Sequence, residues 1–299
     1  MSEHGRSAVG HHLPMSPRES VTDLLTLPEG RVNLVAYDAA ATPGFDGDKS
    51  DGKEALAALD DRLSELQEML FAEGRSGGHR RVLLVLQGMD TAGKGGVMRN
   101  TVAIFDPQGV HIKAFGRPTE EELAHDFLWR IRRELPAAGR IGIFDRSHYE
   151  DVLVARVREL ASPEEIDRRY DAINEFEAEL VDGGTTVVKC MLHISADEQR
   201  ERLLARLDNP TKHWKYDTGD LVDRQHWSSY QEAYEMALER TNTEAAPWLV
   251  VPADRKWFRN WAIATVLLET LEGLGLEWPK ADFDVEEQRR RLLDEGFSA

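Results

Sequence analysis

Gly88-Met89-Asp90-Thr91-Ala92-Gly93-Lys94-Gly95 decides how the rest of the chain is read. Glycine, four free positions, glycine and lysine are the spacing of a phosphate-binding loop, a motif that needs a buried strand before it and a helix after it. Both are predicted here. Arg81-Val82-Leu83-Leu84-Val85-Leu86-Gln87 is a short apolar run, as in a strand covered on both faces. A helix is predicted over 94–105. Gly88, Gly93, Gly95 and Gly96, with the small Ala92, allow backbone N–H groups to turn inward around phosphate oxygens. The helix start adds positive potential. Lys94 sets a point charge on a phosphoryl group in flight.

One position departs from the pattern. Serine or threonine should follow the lysine and ligate Mg²⁺, but Gly95 has no oxygen to offer. Magnesium takes oxygen ligands, commonly one or two carboxylates with phosphates and water. Asp90 inside the loop and Asp145 at the end of a second apolar run are the expected metal residues, with Mn²⁺ as the alternative ion.

Outward from the loop, strand and helix patterns alternate. Leu56, Leu59, Leu63, Leu66 and Leu70 recur every three or four residues and predict a helix over 52–73. Strands are predicted over 110–115, 141–144, 187–194 and 248–251. Thr119 with Glu122 forms a capping box for a helix running to about Leu135-Pro136. Ser162 and Ser195 open helices to about 182 and 207, and a last helix starts near 254. Such alternation predicts an α/β fold with a parallel sheet flanked by helices and ligands at the carboxyl ends of its strands. The expected organisation is a mobile tail and loose arm over 1–50, a kinase domain over 51–280 with a lid at about 202–226, and a helical tail over 281–299.

Two further clusters carry chemistry. Phe144-Asp145-Arg146-Ser147-His148-Tyr149-Glu150-Asp151 ends a buried strand. An aspartate there is the usual second metal carboxylate of a phosphate-loop protein, and Arg146 supplies a cation for charge developing on phosphoryl oxygens. His148 is assigned to packing, because a phosphate nucleophile is already anionic. In the stretch 200–224, Arg202 and Arg206 lie one helical turn apart, Asn209-Pro210 breaks the helix, and Lys212 and Lys215 flank Trp214. A cationic hairpin of this kind closes over phosphates and excludes water.

The 299 residues carry a formal charge of −17, which argues against nucleic-acid or membrane-surface binding. A polyanionic substrate therefore needs a local cationic track, expected from Arg117, Arg146, Arg202, Arg206, Lys212 and Lys215. Cys190 is the single cysteine and sits in an apolar run, so a disulfide within the chain is excluded and a buried thiol expected. Residues 1–20 lack the apolar core of a secretory signal, and no stretch reaches the roughly 20 apolar residues of a membrane helix. A soluble cytoplasmic protein is expected.

Taken together, Gly88 to Gly96, Phe144 to Asp151, Asp208-Asn209-Pro210-Thr211-Lys212-His213-Trp214-Lys215, and Pro247-Trp248 leading to Val251-Pro252-Ala253-Asp254-Arg255-Lys256-Trp257 resemble the polyphosphate kinase 2 family. The resemblance spans roughly residues 40–280. It implies a thymidylate-kinase-like fold with a helical lid, and Mg²⁺-dependent phosphoryl transfer between inorganic polyphosphate and AMP, ADP or ATP, other purine nucleotides included. It implies Asp90, Lys94, Asp145 and Arg146 as the catalytic core, with Arg206 and the lid lysines closing on the chain. The ADP-restricted branch carries Asn-Arg where this chain has Glu150-Asp151; the acidic pair resembles the class III branch, which accepts AMP and ADP, and this implies that Glu150 and Asp151 face the acceptor nucleotide. Many class III relatives carry an acid where this chain has Gly95. The resemblance also implies a homo-oligomer, dimer or tetramer. Two other readings share these motifs: an ATP-dependent nucleoside monophosphate kinase of the thymidylate kinase type, and a nucleotide-binding regulator without chemistry.

Overall fold

A computed structural model describes residues 19–294. The tail expected over the first 20 residues lies almost wholly outside them. The chain opens with α1 (Val21–Leu25), α2 (Lys49–Ala57) and α3 (Asp60–Arg75), then β1 (Arg81–Gln87) and α4 (Lys94–Asn100). Next come β2 (Val110–Ala114), the short α5 (Glu120–Leu123) and α6 (Trp129–Arg132), β3 (Ile141–Asp145), α7 (Glu150–Val157) and α8 (Pro163–Asp182). They are followed by β4 (Thr185–His193), α9 (Ala196–Leu207), α10 (Thr218–Gln225), α11 (Trp227–Thr241), β5 (Trp248–Pro252), α12 (Lys256–Gly273) and α13 (Val285–Asp294).

The five strands form one sheet in the order β2-β3-β1-β4-β5, and every pairing is parallel. Parallel strands need crossover helices, and these cover both faces. The burial follows: β1, β3, β4 and β5 are almost entirely buried, whereas the edge strand β2 is partly open. Because all strands point one way, the loops after Gln87, Ala114, Asp145, His193 and Pro252 meet on one edge. β1 lies between β3 and β4, so the loop after it opens at the centre of that edge.

Several elements differ from expectation. The predicted helix over 52–73 is two helices, because the chain turns at Ala58–Leu59; Leu63, Leu66 and Leu70 are buried while Leu56 and Leu59 are partly so. The helix predicted after Thr119 is also split, into α5 and α6, although the capping box is present. The 94–105 helix stops at Asn100 and continues as a 3-10 turn over Val102–Ile104. The periodicity reading missed α7, α10 and α11. Residues 285–294 of the expected helical tail form α13, which buries no residue.

The expected loose arm is instead packed. The Leu27 N–H donates to the Trp248 carbonyl at 2.8 Å, and Thr26 bridges Leu249 in antiparallel fashion. Glu269 on α12 accepts from the Val21 and Thr22 N–H groups at 3.0 and 2.9 Å. Phe45 packs edge-on against Trp257 and Trp261, with centroids at 5.3 and 4.7 Å. The Leu34 side chain is fully buried in the main core. Burial of apolar groups at this depth overrides the polar, glycine-rich composition of the segment. Replacing Leu34 by alanine should cost about 2–5 kcal/mol in urea unfolding; a loose arm would give a change within about 0.5 kcal/mol, as at an open surface position.

Candidate active site

The loop after β1 turns sharply on backbone conformations that few residues adopt. Gly88 has φ 153° and Gly93 φ 116°, while Thr91 takes φ 65° and the strand-end residue Arg146 φ 63°. Positive φ at non-glycine residues is costly and persists only where the surroundings enforce it. Lys94 opens α4 and folds back so that its Nζ donates to the Gly88 carbonyl at 2.8 Å. A Cβ at Gly95 would meet only open space.

Two buried arginines lie beneath the loop. Arg202 on α9 uses all five of its N–H groups. It donates to Thr91 O at 2.8 Å, Ala92 O at 3.1 Å, Ala253 O at 2.7 Å, Asp254 O at 2.8 Å and Glu198 Oε1 at 2.6 Å. Its expected place on the phosphate track is therefore corrected: with no donor free, it braces the loop from beneath. The second arginine, Arg259 on α12, was missed by the sequence reading; it donates to Ala92 O at 3.0 Å. The available signal was a charged residue within the apolar run Trp257-Phe258-Arg259-Asn260-Trp261.

Asp145 ends β3 beside the loop, and among the described residues its carboxylate makes no hydrogen bond or ion pair. Arg146 NH2 donates to Asp90 Oδ1 at 2.8 Å, and its Nε lies 3.9 Å from Glu150 Oε2. Burial alone would weaken the Arg146 cation, but Glu150, Asp90 and Asp145 outweigh it and raise its pKa. Burial pushes the Glu150 pKa up, against Arg146 and Lys94. With its amide turned so that the nitrogen faces Glu150 Oε1, at 3.1 Å, Gln87 also accepts from Ser147 Oγ at 3.0 Å. Asp90, Lys94, Asp145, Arg146 and Glu150 thus converge on the sheet edge. Tyr234 of α11 is buried close to them: burial, then Glu150 and Asp90, drive its pKa well up.

Asp151, expected to share the role of Glu150, faces elsewhere. Its Oδ2 accepts from Arg130 at 3.2 Å, and its carbonyl accepts from Arg169 at 2.9 Å. The helical twist of α7 sends the two neighbours to different sides. Arg117 lies exposed in the loop after β2.

In the lid, Pro210–Lys215 is a 3-10 turn between α9 and α10. Arg206 NH1 donates to Lys215 O at 2.8 Å and Asp220 Oδ2 at 3.0 Å, tying the turn to α9 and α10. Burial, then the charges of Arg99, Arg206 and Lys212, lower the Lys215 pKa. These four cations therefore share one neighbourhood. Arg99, on the loop helix α4, is the member absent from the expected track. Burial and then Asp90 raise the Asp220 pKa, which sets the lid carboxylate near the loop. Trp214 is 79% exposed, with Lys215 Nζ 4.9 Å from its ring centre.

Behind the Arg146-Ser147-His148-Tyr149 turn lies a buried polar network. Lys189 Nζ donates to Glu177 Oε2 at 2.7 Å, Thr241 O at 2.7 Å and Tyr149 Oη at 3.0 Å. Tyr149 Oη donates to Glu177 Oε1 at 2.7 Å, and His148 Nε2 lies 3.2 Å from the same oxygen. Burial alone would raise the Glu177 pKa; Lys189 and His148 hold it below the ordinary carboxylate range. His148 is fully buried in this packing role, away from the open edge.

The residues suit a divalent ion brought by phosphates. No group of three or more His, Cys, Asp or Glu side chains among the described residues could cage a metal. Mg²⁺ needs no such cage, since one or two carboxylates with phosphates and water suffice. Asp145 has an unengaged carboxylate for this purpose, and Asp90 offers a second carboxylate, which Arg146 holds.

With this geometry, the comparison with known proteins is direct. Residues 46–277 match the polyphosphate kinase 2 (PPK2) family. The chain belongs to the polyphosphate kinase 2 family. It is 51% identical over 255 residues to an AMP/ADP-polyphosphate phosphotransferase of Meiothermus ruber, covering 85% of this chain and 94% of that one. It is 40% identical over 262 residues to an ADP-polyphosphate phosphotransferase of Rhodopseudomonas palustris, covering 84% and 89%. The crystal structure of polyphosphate kinase 2 from Arthrobacter aurescens TC1 superposes with a TM-score of 0.90 at 55% identity, covering 92% of this chain and 97% of that one. The PPK2 membership accords with the phosphate loop, the parallel sheet and the lid.

The bracing role assigned to Arg202 has a direct check. Arg202→Ala leaves the Thr91, Ala253 and Asp254 carbonyls and Glu198 without this donor, so it should lower unfolding free energy by at least about 2 kcal/mol, since each buried unsatisfied group costs roughly 1–3 kcal/mol. Urea unfolding at neutral pH measures this. A variant as stable as wild type would return Arg202 to the substrate track. Lys189→Met strands the buried Glu177 charge and should cost about 3–5 kcal/mol in the same measurement.

Proposed function

We propose that this PPK2 protein transfers the terminal phosphoryl group of inorganic polyphosphate to AMP and ADP, giving ADP and ATP, in the cytoplasm. The observation that carries this reading is the joint placement of the phosphate loop, Asp145 and Arg146 on one sheet edge beneath a cationic lid. The similarity to an enzyme named for both AMP and ADP supports the two-acceptor reading.

In the reaction, an acceptor phosphate oxygen attacks the terminal phosphorus, and the bond to the penultimate phosphate breaks. The chain leaves one unit shorter. The attacking oxygen is already anionic, so no base is required, and catalysis rests on positioning and charge stabilisation. The loop N–H groups and Lys94 hold the phosphates. Arg146, released from Asp90, meets charge on the transferring group. Arg206 on α9 is the lid cation closest to a rigid element, and Lys212 and Lys215 hold the polymer. Glu150 faces the acceptor side. A bound Mg²⁺ would neutralise phosphate charge and orient the oxygens, held by Asp145 and Asp90.

The net charge of −17 does not oppose this. Surface acids are screened beyond roughly 8–10 Å at physiological salt, and the Arg99, Arg206, Lys212 and Lys215 group acts at shorter range.

The deciding assay supplies AMP or ADP with polyphosphate as sole donor, with nucleotides resolved by chromatography. ADP and then ATP should form; turnover only with ATP as donor would establish the monophosphate kinase reading. Lys94→Ala and Asp145→Asn should each lose about 10²–10³ in kcat, the scale of one lost transition-state donor; a folded variant above a tenth of the wild-type rate would refute its assignment. Asp90→Asn should raise the Mg²⁺ requirement more than the nucleotide KM. Lys212→Ala and Lys215→Ala should raise polyphosphate KM alone, and Arg206→Ala should lower kcat. If all three leave both constants unchanged, the donor binds elsewhere.

A further inference from the structure

Arg259 differs from the other buried cations outside the phosphate loop. Its side chain is almost fully buried, yet no carboxylate among the described residues lies within ion-pair distance. Lys189 has Glu177, Arg130 has Asp151 and Arg202 has Glu198. Arg259 donates only to Ala92 O at 3.0 Å and to Asn260 Oδ1, from Nε at 3.2 Å and NH2 at 2.8 Å. Three of its five N–H groups are used. Its charged neighbours Arg202, Arg99 and Lys256 are of the same sign, and burial, then Arg202 and Arg99, press its pKa down to about 9. It remains a cation at neutral pH. An uncompensated buried charge costs several kcal/mol, so its retention needs an anion.

The guanidinium lies against the phosphate-loop helix. A Cβ at Gly96 would lie 2.4 Å from Arg259 NH2, and all three of its nearest atoms belong to Arg259. A Cβ at Gly93 would lie 1.7 Å from NH1. Gly96 has an ordinary helical backbone, so glycine is required there for the guanidinium alone. The first turn of the phosphate-loop helix is cut away to let Arg259 lie against it.

We infer that Arg259 is a positioning residue for the phosphate chain: its charge lies beneath the first turn of α4 and is balanced only when phosphates enter the loop. Arg202 supplies the brace, and Arg259 supplies the surplus charge. The inference rests on the phosphate-loop reading and adds to it a cation outside the motif.

Calorimetric binding of tripolyphosphate, without nucleotide, tests it on the full chain. Arg259→Met should weaken binding roughly ten- to hundredfold, the range for one charged hydrogen-bonding partner. Its ligand-free melting temperature should stay level or rise, because an unpaired buried charge has been removed. Arg259→Lys, which keeps the charge, should bind at least several-fold better than Arg259→Met. Gly96→Ala, which displaces the guanidinium, should weaken binding in the wild type and have no effect in the Arg259→Met background. Equal binding by wild type and Arg259→Met overturns the inference and leaves the loop reading intact. Lysine as weak as methionine also overturns it, because packing and not charge would then be at work. Wild type that takes up no tripolyphosphate overturns both readings. Should Arg259→Met fail to fold, Gly96→Ala decides alone, and unimpaired binding by it overturns the inference.

Discussion

Arg202 holds the phosphate loop from below, through Thr91 O at 2.8 Å and Ala92 O at 3.1 Å, and the site depends on that grip. A phosphate loop works because its N–H groups point inward, which requires its carbonyls to point outward. Outward carbonyls on a buried face need donors, or the loop relaxes. Arg202 gives four donors to backbone carbonyls in two loops, after β1 and after β5, so the ends of two strands are fixed to one side chain. The positive φ of Thr91 follows from that restraint.

Charge is distributed in the same spirit. The chain is acidic overall, but its sheet edge opposes the average with Lys94, Arg146 and the Arg99, Arg206, Lys212 and Lys215 group. In the free protein two of these cations rest on carboxylates, Arg146 on Asp90 and Arg206 on Asp220. Each partner is a carboxylate that a phosphate, or a metal carried by phosphates, can replace. Arg259 has no such partner.

The strand-end turn carrying Arg146 is supported by burial. Lys189, Glu177, Tyr149 and Thr241 satisfy one another within the core, so the turn rests on a rigid base. A network like this is stable only when complete, because each unpaired member would be costly. The N-terminal arm and α12 close the other flank, through Phe45, Trp257 and Trp261.

The phosphate loop, the parallel sheet and the strand-end cluster were legible because each is a local pattern. Glycine spacing, apolar runs and capping boxes are properties of adjacent residues, and local sterics and burial act on them directly. Asp90, Lys94, Asp145 and Arg146 could therefore be named from their neighbours in the chain. The roles of Arg202, Asp151, Arg99 and Arg259 could not. Arg202 and Arg206 look alike on one helix, and only the fold turns one beneath Thr91 and Ala92 and the other toward Asp220. Glu150 and Asp151 are adjacent, yet the twist of α7 gives one to Arg146 and the other to Arg130. The arm read as loose because its composition is polar, whereas its fate was decided by apolar surface on β5 and α12, more than 200 residues away in the chain. Long side chains choose partners through space, so their partners are set by tertiary structure, whereas backbone turns and buried strands are set by the residues themselves.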